Sequence, residues 1–188
     1  MKHLPNIISA LRILLVIPTV HYLWHNEFAK ALLMFFIAGV SDGLDGFLAR
    51  RFGWFSRLGS FLDPAADKLL MTAIYLTLGL MEHLPVWLVG LVIGRDLVIV
   101  LGALAYRLLI KEIRMQHLLV SKLNTGAQIL LVLLLIYHLS SLPLAAHIPV
   151  QLITFLIYLV TFTTIASGLA YVVIWSLRAR HLLKVKTQ

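Results

Sequence analysis

The chain has 188 residues, 61% of them apolar, and carries sixteen Lys and Arg against eight Asp and Glu. Ordinary soluble domains are roughly 45–50% apolar, so the excess here needs a burying medium beyond a small protein core. The absence of cysteine excludes disulfides, thiolate zinc sites and thiol nucleophiles, and the bases form no single stripe of the kind that binds nucleic acid.

Apolar runs of about the 20 residues that cross a bilayer recur along the whole chain. They predict six spans at 6–24, 28–49, 60–81, 85–110, 121–142 and 149–176, an all-α integral membrane protein with one helical bundle and a single domain over 1–188. The first stretch carries Arg12 and has no small-residue cleavage site before Lys30, so it reads as a retained span rather than a signal peptide. The predicted turns are His25-Asn26-Glu27, Phe52-Gly53-Trp54, Glu82 to Pro85, Lys111 to Arg114, and Pro143 to Pro149. Lys2, the Arg50/Arg51/Arg57 loop, the Lys111/Arg114/Lys122 loop and the tail with Arg178, Arg180, Lys184 and Lys186 fall on one side, and only Lys30 on the other. The positive-inside rule then puts both termini and the second and fourth loops on the cytoplasmic side, or the matrix side in an organelle.

Carboxylates at membrane depth are costly and by default functional. Four of the eight acids fall within 26 residues. Asp42 and Asp45 are three apart near the end of the second span, and Asp63 and Asp67 are four apart at the start of the third, so each pair shares one helix face. A short loop between the two helices brings the pairs together, where four carboxylates repel unless a positive charge lies between them. Hard divalent ions such as Mg²⁺ or Mn²⁺ take oxygen ligands, which predicts a site for two of them. The alternative pairs each acid with a nearby base, but Arg50, Arg51, Arg57 and Lys68 are spread over different faces. Gly46, Ala49 and Gly59 are small and leave room beside the acids, and Arg50 and Arg57 are suited to phosphate oxygens. A metal-bound diphosphate fits such a site.

The stretch Asp42-Gly43-Leu44-Asp45-Gly46-Phe47-Leu48-Ala49-Arg50, followed by Gly59, Asp63 and Asp67, resembles the full signature of the CDP-alcohol phosphatidyltransferases. That resemblance implies a six-helix, usually homodimeric enzyme with CDP-diacylglycerol as donor and CMP as leaving group. It implies that Asp42, Asp45 and Asp63 hold both metal ions, that Asp67 holds one and serves as the base, and that Asn6, Gly46, Ala49, Arg50, Ser56 and Gly59 contact the donor. The active site would lie at the cytoplasmic face of a bacterial inner membrane or a mitochondrial inner membrane.

The opening Leu4-Pro5-Asn6-Ile7-Ile8-Ser9-Ala10-Leu11-Arg12 places Asn6, Ser9 and Arg12 at three-residue steps and is similar to the branch that uses glycerol-containing acceptors. Gly94-Arg95-Asp96, Ser121-Lys122-Leu123-Asn124-Thr125 and Phe162 to Ser167 resemble the cardiolipin synthases within it. Phosphatidylglycerophosphate synthases usually carry a second arginine where Ala103 stands and a lysine where Asn124 stands. Two missing cations favour an acceptor with one phosphate charge, phosphatidylglycerol, over the nearly doubly charged glycerol 3-phosphate. Arg12, Arg95, Lys122 and Asn124 are the expected acceptor contacts, while the hydroxyls of Phe162 to Ser167 are assigned no chemistry. Gly90-x-x-x-Gly94 reads equally well as a helix-packing seam. A cation-coupled transporter also places carboxylates in membrane helices, but near the midplane between repeated halves; here the acids cluster at one surface and no repeat is visible.

Overall fold

The computed structural model describes residues 4–52, 59–110 and 119–186, with side chains described for 10–44, 51, 66–102, 119–145 and 147–176. Six α-helices follow in order: α1 Leu4–Trp24, α2 Phe28–Phe52, α3 Gly59–Leu80, α4 Val86–Ile110, α5 Leu119–Leu139 and α6 Val150–Lys186, with a short 3₁₀ turn at Ala145–His147 before the last. No strand occurs among the described residues. The predicted spans and helices agree within a few residues at most ends; α6 alone runs ten residues past its expected end.

Helix ends explain the turns. At the end of α1 the Glu27 N–H donates to the Tyr22 carbonyl at 2.9 Å and the Asn26 N–H to Leu23 at 2.9 Å. Asn26 sits at φ 60°, the left-handed position that closes such a motif and that asparagine tolerates. The end of α3 repeats the pattern, with His83 N–H to Leu78 at 2.9 Å, Glu82 N–H to Gly79 at 3.1 Å and Glu82 at φ 63°. Glu27 also holds Lys30 at 2.6 Å. That bond to Lys30 lowers the Glu27 carboxyl below its ordinary value and offsets the one cation predicted on that side.

The chain forms two compact units. The first comprises residues 1–85 and 132–149, and in it α1 packs against both α2 and α3. The buried stripes run at helical spacing: Val16, Thr19 and Leu23 on α1; Phe28, Ala31, Phe35 and Ala38 on α2; Leu70, Ile74 and Leu78 on α3. Continuing each stripe by one turn or heptad reaches Arg12, Asp42 and Asp67. The register therefore brings three charged residues to one end of a three-helix core.

The second unit comprises residues 86–131 and 150–188, with α4 packed on α6. Gly102 allows that approach: a Cβ there would land on the Trp175 ring. Gly90 and Gly94, in contrast, have no described atom within 4 Å of a built Cβ, so this pair is not a packing seam with described residues.

Two helical stretches, Leu119–Leu139 and Val150–Ser176, are long and apolar enough to cross a membrane among the described residues. Only about a third of each is buried within the chain, and Leu130, Phe155, Phe162 and Leu169 project outward. Apolar surface on that scale calls for lipid around it, as befits a membrane protein. Helices α2, α3 and α4 have 25, 22 and 25 residues, and charges interrupt their apolar runs.

Candidate active site

At the charged end of the first unit, Arg12 is 1% exposed. A buried guanidinium costs several kcal/mol unless it is paired and hydrogen-bonded, and two carboxylates from two other helices do this. One terminal nitrogen lies 2.8 Å from Asp42 Oδ1 and the other 2.5 Å from Asp67 Oδ1. The fork geometry of arginine suits this bridging, because its terminal nitrogens diverge toward separate acceptors. Both carboxylates remain about half exposed, at 47% and 50%, so each keeps oxygen surface available to a further ligand.

Asp42 and Asp67 therefore do have a base for a partner, and it comes from α1. These three side chains together carry one net negative charge. Asp45 and Asp63 continue the same helical stripes by sequence spacing, and their side chains lie outside the described residues. Among the described residues no three His, Asp or Glu side chains gather. The donor set fits Mg²⁺ or Mn²⁺: hard oxygens on two helices, half open, already converge on a positive charge.

Several expected donor contacts also fall outside this description. Asn6, Gly46, Ala49, Arg50 and Gly59 lie on helical backbone but beyond the described side chains, and Ser56 is outside the described residues altogether.

The second unit holds a buried polar cluster. Arg95 on α4 donates to Asp96 Oδ1 at 2.7 Å, Ser121 Oγ at 2.6 Å and Ser167 Oγ at 2.6 Å, and its guanidinium lies 6.0 Å from the Tyr171 ring centre. Asn124 on α5 is fully buried. Its Oδ1 accepts from Thr164 at 2.8 Å and Thr163 at 2.9 Å. Thr163 shares its single proton with the Leu159 and Val160 carbonyls, so Thr164 holds the amide more firmly. Arg95 Nε and Asn124 Nδ2 are buried donors without an acceptor among the described residues, an arrangement uncommon in folded proteins unless a ligand or water completes it.

Arg95 and Asn124 thus belong to one cluster, whereas Lys122 is exposed on another face of α5. Sequence reasoning missed the hydroxyls that orient these two residues. The stretch Phe162 to Ser167 was assigned no chemistry, yet Thr163, Thr164 and Ser167 bond Asn124 and Arg95 directly. Arg12 was placed with the acceptor contacts; the stripe of Val16, Thr19 and Leu23 leading into it was the available sign of its burial.

The sequence matches the CDP-alcohol phosphatidyltransferase family over residues 2–176. The chain belongs to that family. It is 38% identical over 184 residues to the cardiolipin synthase (CMP-forming) / mitochondrial hydrolase fusion protein of Schizosaccharomyces pombe, covering 89% of this chain and 30% of that protein. It is 32% identical over 189 residues to a probable cardiolipin synthase (CMP-forming) of Drosophila melanogaster, covering 90% and 56%. It is 34% identical over 187 residues to the chloroplastic CDP-diacylglycerol--glycerol-3-phosphate 3-phosphatidyltransferase 1 of rice, Oryza sativa subsp. japonica, covering 90% and 56%. The chain thus spans between 30% and 56% of the length of these relatives. Family membership places the signature acids, two of which meet at Arg12, inside a phosphatidyltransferase sequence block.

Proposed function

We propose that the chain is a membrane-embedded phosphatidyltransferase that moves a phosphatidyl group from CDP-diacylglycerol onto a glycerol-type acceptor, releasing CMP, with phosphatidylglycerol the preferred acceptor. The observation that supports this most directly is the convergence of Asp42 and Asp67, the first and last acids of the signature, from two helices onto one buried cation. Neighbouring chemistry agrees: the carboxylates are half open, and Gly46, Ala49 and Gly59 leave space beside them along the sequence.

In this reading Asp42, Asp45, Asp63 and Asp67 hold two Mg²⁺ or Mn²⁺ ions. When bound, the ions neutralise the diphosphate and stabilise departing CMP. Asp67 takes the proton from the acceptor hydroxyl; the acceptor oxygen bonds to the phosphatidyl phosphorus as the bond to CMP breaks. No covalent enzyme intermediate is required. Asn6, Arg50 and Ser56 contact the donor. Arg12, Arg95, Lys122 and Asn124 are proposed to serve acceptor recognition, and the open donors Arg95 Nε and Asn124 Nδ2 are suited to oxygen-rich headgroups. The six helices are read as six spans of one domain with both termini cytoplasmic, and the protein as a homodimer in a bacterial or mitochondrial inner membrane.

Phosphatidylglycerol is favoured because the buried polar groups of the second unit carry little net charge. Arg95 already shares its charge with Asp96, and Asn124 is neutral. Glycerol 3-phosphate is the second reading, supported by the named activity of the rice relative. Purified protein supplied with CDP-diacylglycerol, Mg²⁺ or Mn²⁺ and either acceptor separates the two by product mass. Metal-dependent cardiolipin formation is expected. Efficient conversion of glycerol 3-phosphate with no cardiolipin would instead establish the second acceptor, and failure to release CMP with either would end the transferase reading.

A further inference from the structure

Arg12 stands out because it is a cation placed among the residues assigned to hold cations. It is 1% exposed, it bridges Asp42 at 2.8 Å and Asp67 at 2.5 Å, and it occupies the register position from which both acids are reached at once. A guanidinium and a divalent ion compete for the same carboxylate oxygens, and the two positive charges repel at close range. We propose that Arg12 is a resident counter-cation that opposes divalent-ion binding at Asp42 and Asp67 and, once displaced by the ions, turns to a phosphate group of the substrates. The inference rests on the metal site proposed above.

Three observations favour this over a purely structural ion pair. The carboxylates are half exposed while the guanidinium is buried, so an incoming ion meets the acids from the open side and pushes the arginine from behind. Arg12 carries one positive charge against the two carboxylates that it bridges, so by itself it offsets their repulsion only in part. Asn6 and Ser9 also precede Arg12 in α1 at three-residue steps, and a displaced guanidinium is well suited to phosphate oxygens. The arrangement couples metal and phosphate binding through one side chain, which is reciprocal by thermodynamic necessity.

The test compares Mn²⁺ affinity, read by electron paramagnetic resonance on full-length detergent-solubilised protein without lipid substrate, in the wild type, Arg12→Lys and Arg12→Gln. A competing counter-cation predicts tighter Mn²⁺ binding in the order Gln, Lys, Arg, because lysine keeps the charge but does not bridge both acids. About tenfold or more is expected between Arg12→Gln and wild type, the scale of one lost charge-assisted bond. An arginine that merely positions the acids predicts the opposite order, and equal or weaker Mn²⁺ binding in both variants would overturn the proposal. If Arg12→Gln does not fold, the comparison of Arg12→Lys with wild type decides the direction alone.

Asp42→Asn provides the internal control. Wild-type Mn²⁺ binding lost in Asp42→Asn but not tightened in either Arg12 variant overturns the counter-cation and leaves the metal site standing. No Mn²⁺ binding in wild type or in either Arg12 variant overturns both. With Mn²⁺ saturating, CDP and a short-chain phosphatidylglycerol are then titrated separately. Weaker binding of one in Arg12→Gln names the donor or the acceptor as the phosphate that Arg12 meets, and unchanged binding of both overturns the displacement step.

Discussion

At the scale of single residues, the two polar clusters obey opposite rules. Asp42 and Asp67 in the first unit are half exposed and converge on one buried cation, whereas Asn124 and Arg95 in the second are buried and oriented by hydroxyls. Asp42→Asn, Asp45→Asn and Asp63→Asn each keep side-chain size while removing a charge, and each is expected to lower CMP release by orders of magnitude in protein that remains folded by circular dichroism. Near-normal turnover in any of the three would sink the two-metal assignment. Asp67→Asn is different: as the proposed base, it is expected to lose ~10²–10⁴-fold in turnover while donor binding, measured by CDP titration, is largely kept. A drop in donor binding equal to that of Asp42→Asn would make Asp67 a ligand only. In the second unit, Thr164→Val removes the firmer of the two hydroxyls on Asn124. A neutral hydrogen bond contributes about 1 kcal/mol, so a several-fold rise in acceptor KM with donor KM unchanged is expected; an equal change in both would detach this pair from acceptor recognition.

At the scale of helices, backbone conformation and close packing allow sharper tests. Glu82 closes α3 from a left-handed position at φ 63° that costs a non-glycine residue roughly 1–2 kcal/mol. Glu82→Gly should raise the thermal midpoint of the detergent-solubilised protein, by less than that full amount because glycine loses more chain entropy on folding. A lower midpoint would show that Glu82 makes compensating contacts. Gly102 presents the reverse case. Gly102→Ala drives a methyl into the Trp175 ring, and such overpacking costs about 1–3 kcal/mol, so the midpoint should fall. Recovery on adding Trp175→Leu to Gly102→Ala would tie the loss to this one contact. The boundaries of α1 and α3 were legible because Asn26 and Glu82 fall in polar breaks after apolar runs. Their hydrogen-bond patterns were not, since these depend on backbone angles that neighbouring residues settle together.

At the scale of the whole molecule, the membrane arrangement and the chemistry constrain each other. The bases crowd one predicted side, and the single lysine of the other is tied to Glu27. The chain has no cysteine, which makes single introduced cysteines clean reporters. Asn26→Cys and Ser141→Cys are expected to react with an impermeant thiol reagent from one face of right-side-out vesicles, and Lys186→Cys only from the other. Labelling of all three from one face would overturn the six-span reading and with it the placement of the acids at the cytoplasmic boundary. By itself the sequence determined the helical class, the approximate helix limits, the four acids and the family, because hydrophobic period, breakers and a spaced signature are all local along the chain. Only the tertiary structure decided that Arg12 bridges Asp42 and Asp67, that Thr163, Thr164 and Ser167 orient Asn124 and Arg95, and that Gly102 rather than Gly90 and Gly94 makes the close approach. Each of those facts joins residues from different helices, and which faces meet is settled by packing that no single helix encodes.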